Sequence, residues 1–156
     1  MTDIDLLAAL TDAQTVGLTL FGEARGERIE GRLAVASVIG NRVKAHRAAF
    51  GRGFKGVCLK RWQFSCWLPE GGKANYDLVM AAAQLLARGD TPGPMLRECL
   101  WIADGLIRDQ FGDTVRTATH YYNPHAMVPR GRVPDWAQGQ TPVATVGSHL
   151  FYAGIR

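Results

Sequence analysis

Apolar residues recur at helical spacing through the first two-thirds of the chain and give way to alternation in the last third. Residues 4–10 (Ile-Asp-Leu-Leu-Ala-Ala-Leu) predict a short first helix. Thr11-Asp12 then offers an N-cap for a second helix from Ala13 to Phe21, with Val16, Leu18 and Leu20 apolar. Gly22 and Gly26 frame Glu23–Arg25. Two glycines so close cost a helix about 1 kcal/mol each relative to alanine. The helix is therefore expected to break there, with the backbone bending or another group approaching it closely. Residues 30–50 carry the strongest helical signal, through Leu33, Val35, Ala36, Val38, Ile39 and Val43. They end in Arg42, Lys44, His46 and Arg47, and cations suit a helix C-terminus. This is the expected central core helix.

Residues 51–75 are glycine-rich, with Trp62, Phe64 and Trp67 interspersed. They predict an irregular loop with short strands, its aromatics forming a wall on which sugars stack. Trp62 and Trp67 divide evenly between that role and core packing. Residues 74–87 form an amphipathic pattern that Arg88-Gly89 closes, and 90–94 a turn. A weaker helix is predicted from Met95 to Phe111, preceded by Pro92 and Pro94, interrupted by Gly105, and carrying Trp101 in the core. Thr114–Asn123 and Val143–Ala153 alternate and are rich in β-branched and aromatic residues. They predict antiparallel strands flanking the proline-containing loop 124–142. The expected class is α+β, mostly helical, with a small antiparallel β element.

At 156 residues the chain fits a single domain, 1–156. Its 47% hydrophobic and 21% charged content exclude a disordered chain. The net charge of +4 favours acidic polymers such as cell-wall glycan. The basic residues are scattered without a run, so no nucleic-acid tract is indicated. The acidic start Met1–Asp5 predicts no signal peptide, and no stretch approaches the length of a membrane span. Cys58, Cys66 and Cys99 contain no C-x-x-C. A Cys58–Cys66 bridge is open to the chain, and buried free thiols are favoured.

Glu23 stands at the lip of an apolar helix end, where partial desolvation suits a carboxyl to general acid work. Glycoside cleavage normally uses two carboxylates. Glu27, Glu30, Asp77, Asp113 and Asp135 are the partners to weigh. Glu27 is one turn from Glu23, but a structural pairing with Arg25 or Arg42 is favoured for it. Asn41 reads as a hydrogen-bonder at a helix end. Three other classes compete. A zinc amidase would draw on His46, His120, His125 and His149, but no H-E-x-x-H occurs. A thiol peptidase would pair Cys58 or Cys66 with His120 or His149. A non-enzymatic wall- or DNA-binding module would use the basic surface and the tryptophans.

The block Gly22-Glu23-Ala24-Arg25-Gly26-Glu27, followed by Gly31-x-x-Ala34-Val35-Ala36-Ser37-Val38-Ile39-x-Asn41-Arg42-Val43, resembles the cell-wall hydrolase family of the spore-cortex-lytic (SleB) type. Gln63-Phe64-Ser65 and Ala118-Thr119-His120-Tyr121-Tyr122-Asn123-Pro124 agree in order and spacing, as do Trp136 and Gly147-x-His149-x-Phe151-Tyr152. The resemblance spans residues 14–153. It implies a lysozyme-like fold related to goose lysozyme and lytic transglycosylases. It also implies cleavage of peptidoglycan glycan strands between N-acetylmuramic acid and N-acetylglucosamine, with Glu23 catalytic. One carboxylate then suffices: the muramyl 6-hydroxyl closes on the anomeric carbon and leaves a 1,6-anhydro end. Gln63, Ser65, His120, Tyr121, Tyr122 and Asn123 are the substrate-binding candidates, with Phe64 and Trp136 as apolar faces for the rings. Of Tyr121 and Tyr122, alternation sends one to the core and the other to the cleft. Glu27 is the secondary candidate, and no metal or cofactor is expected. A cationic domain without an export signal or wall-binding module resembles a phage endolysin freed through a holin pore, or a phage or gene-transfer-agent tail component. It is expected to act on the wall as a monomer, without nucleic acid or membrane insertion.

Overall fold

The computed structural model describes all 156 residues. Six helices come first: α1 (Asp3–Ala9), α2 (Asp12–Ala24), α3 (Ile29–Ala45), α4 (Gly53–Leu59), α5 (Lys73–Ala87) and α6 (Pro94–Ile107). Three short strands follow, β1 (His120–Tyr122), β2 (Ala144–Val146) and β3 (His149–Tyr152). The architecture is mostly helical α+β with a small antiparallel sheet, as expected. No single helix is long and apolar enough to cross a membrane.

The structure makes α2, not α3, the central helix. It packs against α3, α4, α5 and α6, and Thr15 through Leu20 are all buried. A helix buried all round must satisfy its polar side chains internally. Thr15 and Thr19 do so by returning their hydroxyls to the carbonyls of Thr11 and Thr15, at 2.9 and 2.8 Å. Thr11 starts α2 with a capping box: it accepts from Gln14 N–H at 3.0 Å, and Gln14 reaches back to Thr11 N–H at 2.9 Å. The expected break at Gly22 does not occur. α2 runs through Gly22 and Glu23, and Gly22 is there because Cys66 and Val79 press against the helix at that point. The chain turns only at 25–28.

α3 ends at Ala45, earlier than expected, where His46 takes a left-handed conformation (φ 53°). Its buried Arg32 bridges to Glu98 of α6 at 2.6 Å and also donates to the Glu27 carbonyl. Residues 51–75 hold no strand. Val57 and Cys58 point inward from α4, and short 3-10 turns span Ser65–Trp67 and Pro69–Gly71. Gly51 and Gly53, at φ 91° and 67°, make the turn that leads into α4. In α6 the inward stripe is Leu96, Cys99, Ile102 and Ala103, which leaves Trp101 on the outer side. Trp101 is thus exposed, not core, and sits edge-to-face with Phe111 at 5.6 Å.

The sheet order is β1-β3-β2, with Tyr121 opposite Phe151 and Ala144 opposite Phe151 on the other side. The two predicted strands do pair, but both are shorter than expected. Asp113 accepts the Val115 and Thr117 N–H groups at 2.8 and 2.6 Å, which diverts residues 113–117 into a turn. The segment 143–153 folds at Gly147 (φ 55°) into the β2–β3 hairpin. Phe151 and Val115 pack on Ala34 and Val38 of α3, so sheet and helices share a face. All three cysteines are buried free thiols, with no bridge between Cys58 and Cys66.

The two glycines of the motif differ in kind. A Cβ on Gly22 would meet Cys66 Cβ at 2.5 Å and Val79 Cγ2 at 2.8 Å, whereas one on Gly26 would meet nothing. Gly22→Ala should therefore lower stability by about 1–3 kcal/mol through overpacking. Gly26→Ala should be neutral or stabilising by up to about 1 kcal/mol. Urea unfolding of both variants checks this, and equal losses would contradict the packing account.

Candidate active site

Glu23 occupies the last turn of α2, half-buried, with its carboxylate turned toward the Ser65–Trp67 turn and the sheet. The Tyr121 hydroxyl donates to Oε1 at 2.7 Å. The Cys66 backbone N–H donates to Oε2 at 3.1 Å, and the Ser65 hydroxyl does so more weakly at 3.4 Å. Two elements far from α2 in sequence thus converge on its carboxylate. Arg25, the next charge in the motif, turns away: it donates to Asn75 at 2.6 Å and stacks on Phe21.

Beside Glu23 lies an open groove of about 340 Å³, within the range of ligand clefts. Arg42, Trp62, Gln63, Ser65, Leu68, Glu70, Gly71 and Tyr121 line it with Glu23. A more enclosed apolar cavity of about 250 Å³ lies between α3, α4 and the end of α6, away from Glu23. Its hydroxyl, Ser37, is engaged with Thr114, so the chemistry points to the groove.

The structure brings Gln63, Ser65 and Tyr121 to the groove with Glu23. It does not bring the other candidates there. Phe64 is only 2% exposed and packs in the helical core, with the Arg42 guanidinium 4.8 Å from its ring, so it offers no face to a sugar. His120 and Tyr122 point to the opposite face of β1 from Tyr121, as alternation requires. His120 sits between Phe50 and Trp136 at 5.8 and 5.0 Å. Tyr122 joins Trp136 and Tyr152. Asn123 accepts the His125 N–H at 2.9 Å and caps a turn. Trp136 belongs to that same aromatic group rather than to the groove.

Glu27 pairs with neither Arg25 nor Arg42. Its Oε1 accepts both the N–H and the hydroxyl of Ser148, at 3.0 and 2.8 Å, and lies 3.2 Å from His149 Nδ1. The Ser148 bonds and the neighbouring imidazole hold its carboxyl below the ordinary range, outweighing burial. Glu27 thereby anchors the tip of the β2–β3 hairpin to the α2–α3 turn. Asn41 is also structural, donating to the Ala118 carbonyl at 2.9 Å.

Two groove residues, Glu70 and Arg42, escaped sequence reasoning. Glu70 sits between Pro69 and Gly71 in a segment without periodicity, so nothing marked it as a second carboxylate of the groove. Trp62, left even between core and sugar wall by the sequence, is 64% exposed at the rim, in a left-handed conformation (φ 69°) with the Arg61 guanidinium 4.7 Å from its ring. Arg42 looked like a helix-end cation but is 5% exposed.

The competing chemistries find no support in this arrangement. Burial pushes the Cys58 thiol up to about 12 and the Cys66 thiol well above its usual range, so neither is an activated thiolate. The four histidines are dispersed, and no three His, Cys, Asp or Glu side chains converge as a ligand set. Burial and the adjacent Glu23 raise the Tyr121 phenol well above its usual range, so it stays a proton donor to the carboxylate.

The model of a family described as Cell Wall Hydrolase matches residues 26–152, beginning just after Glu23. No curated protein matches the chain. Two solved structures share the fold. One is the catalytic domain of the germination-specific lytic transglycosylase SleB from Bacillus anthracis, at 24% identity and TM-score 0.57, covering 92% of this chain and 96% of that one. The other is the catalytic domain of the Bacillus cereus SleB protein, at 24% identity and TM-score 0.56, covering 90% and 88%.

Two histidines of the sheet set an acid limit on the fold. Burial, aided by the Arg42 and Arg47 cations, pushes His120 down to about 4, and burial also lowers His149 despite Glu27. Unfolded histidine titrates near 6.5, so below that pH the unfolded chain binds more protons than the native one. Stability should be full above about pH 7 and fall as pH drops from 6.5 toward 4. Thermal unfolding across this range checks the sign, and His120→Phe should flatten the decline.

Proposed function

Because the chain belongs to the cell wall hydrolase family, we propose that it cleaves the glycan backbone of peptidoglycan between N-acetylmuramic acid and N-acetylglucosamine, with Glu23 as acid and base. The observation that carries this reading is the Glu23 carboxylate itself. It lies beside an open groove, oriented by the hydroxyl of Tyr121 and the N–H of Cys66.

Protonated Glu23 gives its proton to the glycosidic oxygen as the bond from that oxygen to the muramyl anomeric carbon breaks. The muramyl 6-hydroxyl oxygen then bonds to the anomeric carbon, and its proton passes to the Glu23 carboxylate. No water is consumed, and the products are a free 4-hydroxyl on glucosamine and a 1,6-anhydro-muramyl end. Glu23 is restored to its starting form, so one carboxylate closes the cycle. Gln63 and Ser65 supply an amide and a hydroxyl along the groove, and Trp62 supplies an exposed ring for a sugar face. The +4 net charge favours association with the anionic wall.

The second reading rests on Glu70. A second carboxylate on the same groove is what a hydrolase would use to activate water. Product chemistry separates the two. Transglycosylation yields muropeptides one water lighter than those of hydrolysis, with no new reducing muramic ends.

Glu23→Gln should retain the wild-type circular dichroism spectrum while muropeptide release falls on the order of 10²- to 10⁴-fold. Substantial residual cleavage would remove Glu23 as the acid. Mass spectrometry of wild-type digests should find anhydro ends; ordinary reducing ends would turn the assignment to hydrolysis with Glu70.

A further inference from the structure

Arg42 is a buried cation that the steps above leave without a task. It projects from α3 into the wall of the groove with only 5% of its surface exposed. The other buried arginine of α3, Arg32, is paired with Glu98 at 2.6 Å, whereas Arg42 has no carboxylate within ion-pair distance. Its Nε donates to the Thr119 carbonyl at 2.7 Å, and its guanidinium lies 4.8 and 5.4 Å from the rings of Phe64 and Phe50. Its Nη1 is buried with no hydrogen-bond partner. A desolvated cation with an orphaned N–H is costly, and a native fold rarely keeps one without a use for it.

The groups around the Glu23 carboxylate show what that use is. The Cys66 N–H and the Tyr121 hydroxyl meet it directly, His149 of β3 stands 5.0 Å from the Tyr121 ring, and the Cys58 thiol of α4 lies in the core cluster with Cys66. Glu70 shares the groove. The phenol and both thiols are held protonated and uncharged, and burial keeps His149 neutral at pH 7. Among these groups Arg42 is the one that brings a positive charge.

We propose that Arg42 is a positioning residue for the reaction: a fixed, water-shielded guanidinium that stabilises Glu23 as carboxylate after proton transfer and, through its bond to the Thr119 carbonyl, holds β1 so that Tyr121 reaches Glu23. The inference rests on Glu23 being the acid and base. Arg42 is too buried to bind the sugar, so its effect falls on kcat and on the pH range of activity rather than on KM. Without the cation the uncharged carboxyl is favoured, and the acid form survives to higher pH.

The test compares the pH–rate profiles of wild type, Arg42→Gln and Arg42→Lys on purified peptidoglycan, with thermal unfolding of each. Arg42→Gln should lower kcat at least about tenfold and move the alkaline limb of activity up on the order of one pH unit. Arg42→Lys, which keeps the charge, should hold the limb near wild type. A folded Arg42→Gln with an unmoved limb overturns the proposal. Should that variant not fold, ¹⁵N NMR of the wild type decides. The Arg42 Nε–H resonance should titrate with the midpoint of the alkaline limb, and should be flat in Glu23→Gln. A flat wild-type signal overturns the proposal; with Glu23→Gln inactive, that result leaves the Glu23 reading intact. An active Glu23→Gln would instead remove the Glu23 reading itself.

Discussion

The last turns of α3 make two hydrogen bonds on which the groove depends. Asn41 and Arg42, adjacent in the chain, donate to the carbonyls of Ala118 and Thr119, adjacent in the segment that enters β1. Those carbonyls are drawn against the helical body when Val115 and Phe151 pack on Ala34 and Val38. Left without donors they would cost about 1–3 kcal/mol each. Two consecutive donors on a rigid helix meeting two consecutive acceptors also set register. A strand slipped by one residue presents its other face to the helices. Here the register sends Tyr121 inward to Glu23 and leaves His120 and Tyr122 with Trp136 on the far side.

From the other direction, α2 carries Glu23 to the same point. It can run through the middle of the molecule because its threonines bond their own backbone and its glycines admit neighbours. Gly17 accommodates Leu100 of α6, and Gly22 accommodates Cys66 and Val79. The closeness at Gly22 also brings the Cys66 N–H within 3.1 Å of Glu23. The glycine before the carboxylate is therefore part of how the carboxylate is bound, not a hinge.

The two glutamates of the motif divide labour. Glu23 faces the groove; Glu27, within the turn, holds the hairpin tip through Ser148 and stands beside His149, whose ring meets Tyr121 edge-on at 5.0 Å. A chain of contacts thus joins hairpin, imidazole, phenol and groove carboxylate. Such a frame suits a cell wall hydrolase, where a site must be held in fixed geometry against a polymer.

Five of the six helices were legible in the chain through their apolar periodicity, and the caps at Thr11 and at Arg88-Gly89 mark ends; α4, seven residues with two glycines inside a segment read as loop, was not. Glu23 was legible because a carboxylate between two glycines makes little sense in a plain helix. What the chain could not reveal depends on partners distant in sequence. Gly22 reads as a breaker until Cys66 and Val79 arrive beside it, and Phe64 reads as a sugar platform until the helices close over it. Residues 113–117 alternate like a strand, but the Asp113 side chain captures their N–H groups. Periodicity is a local property, and sequence carries it whole. Which tyrosine meets Glu23, and which arginine lies buried beside it, is settled by packing between residues as far apart as Arg42 and Thr119, and only the folded chain decides that.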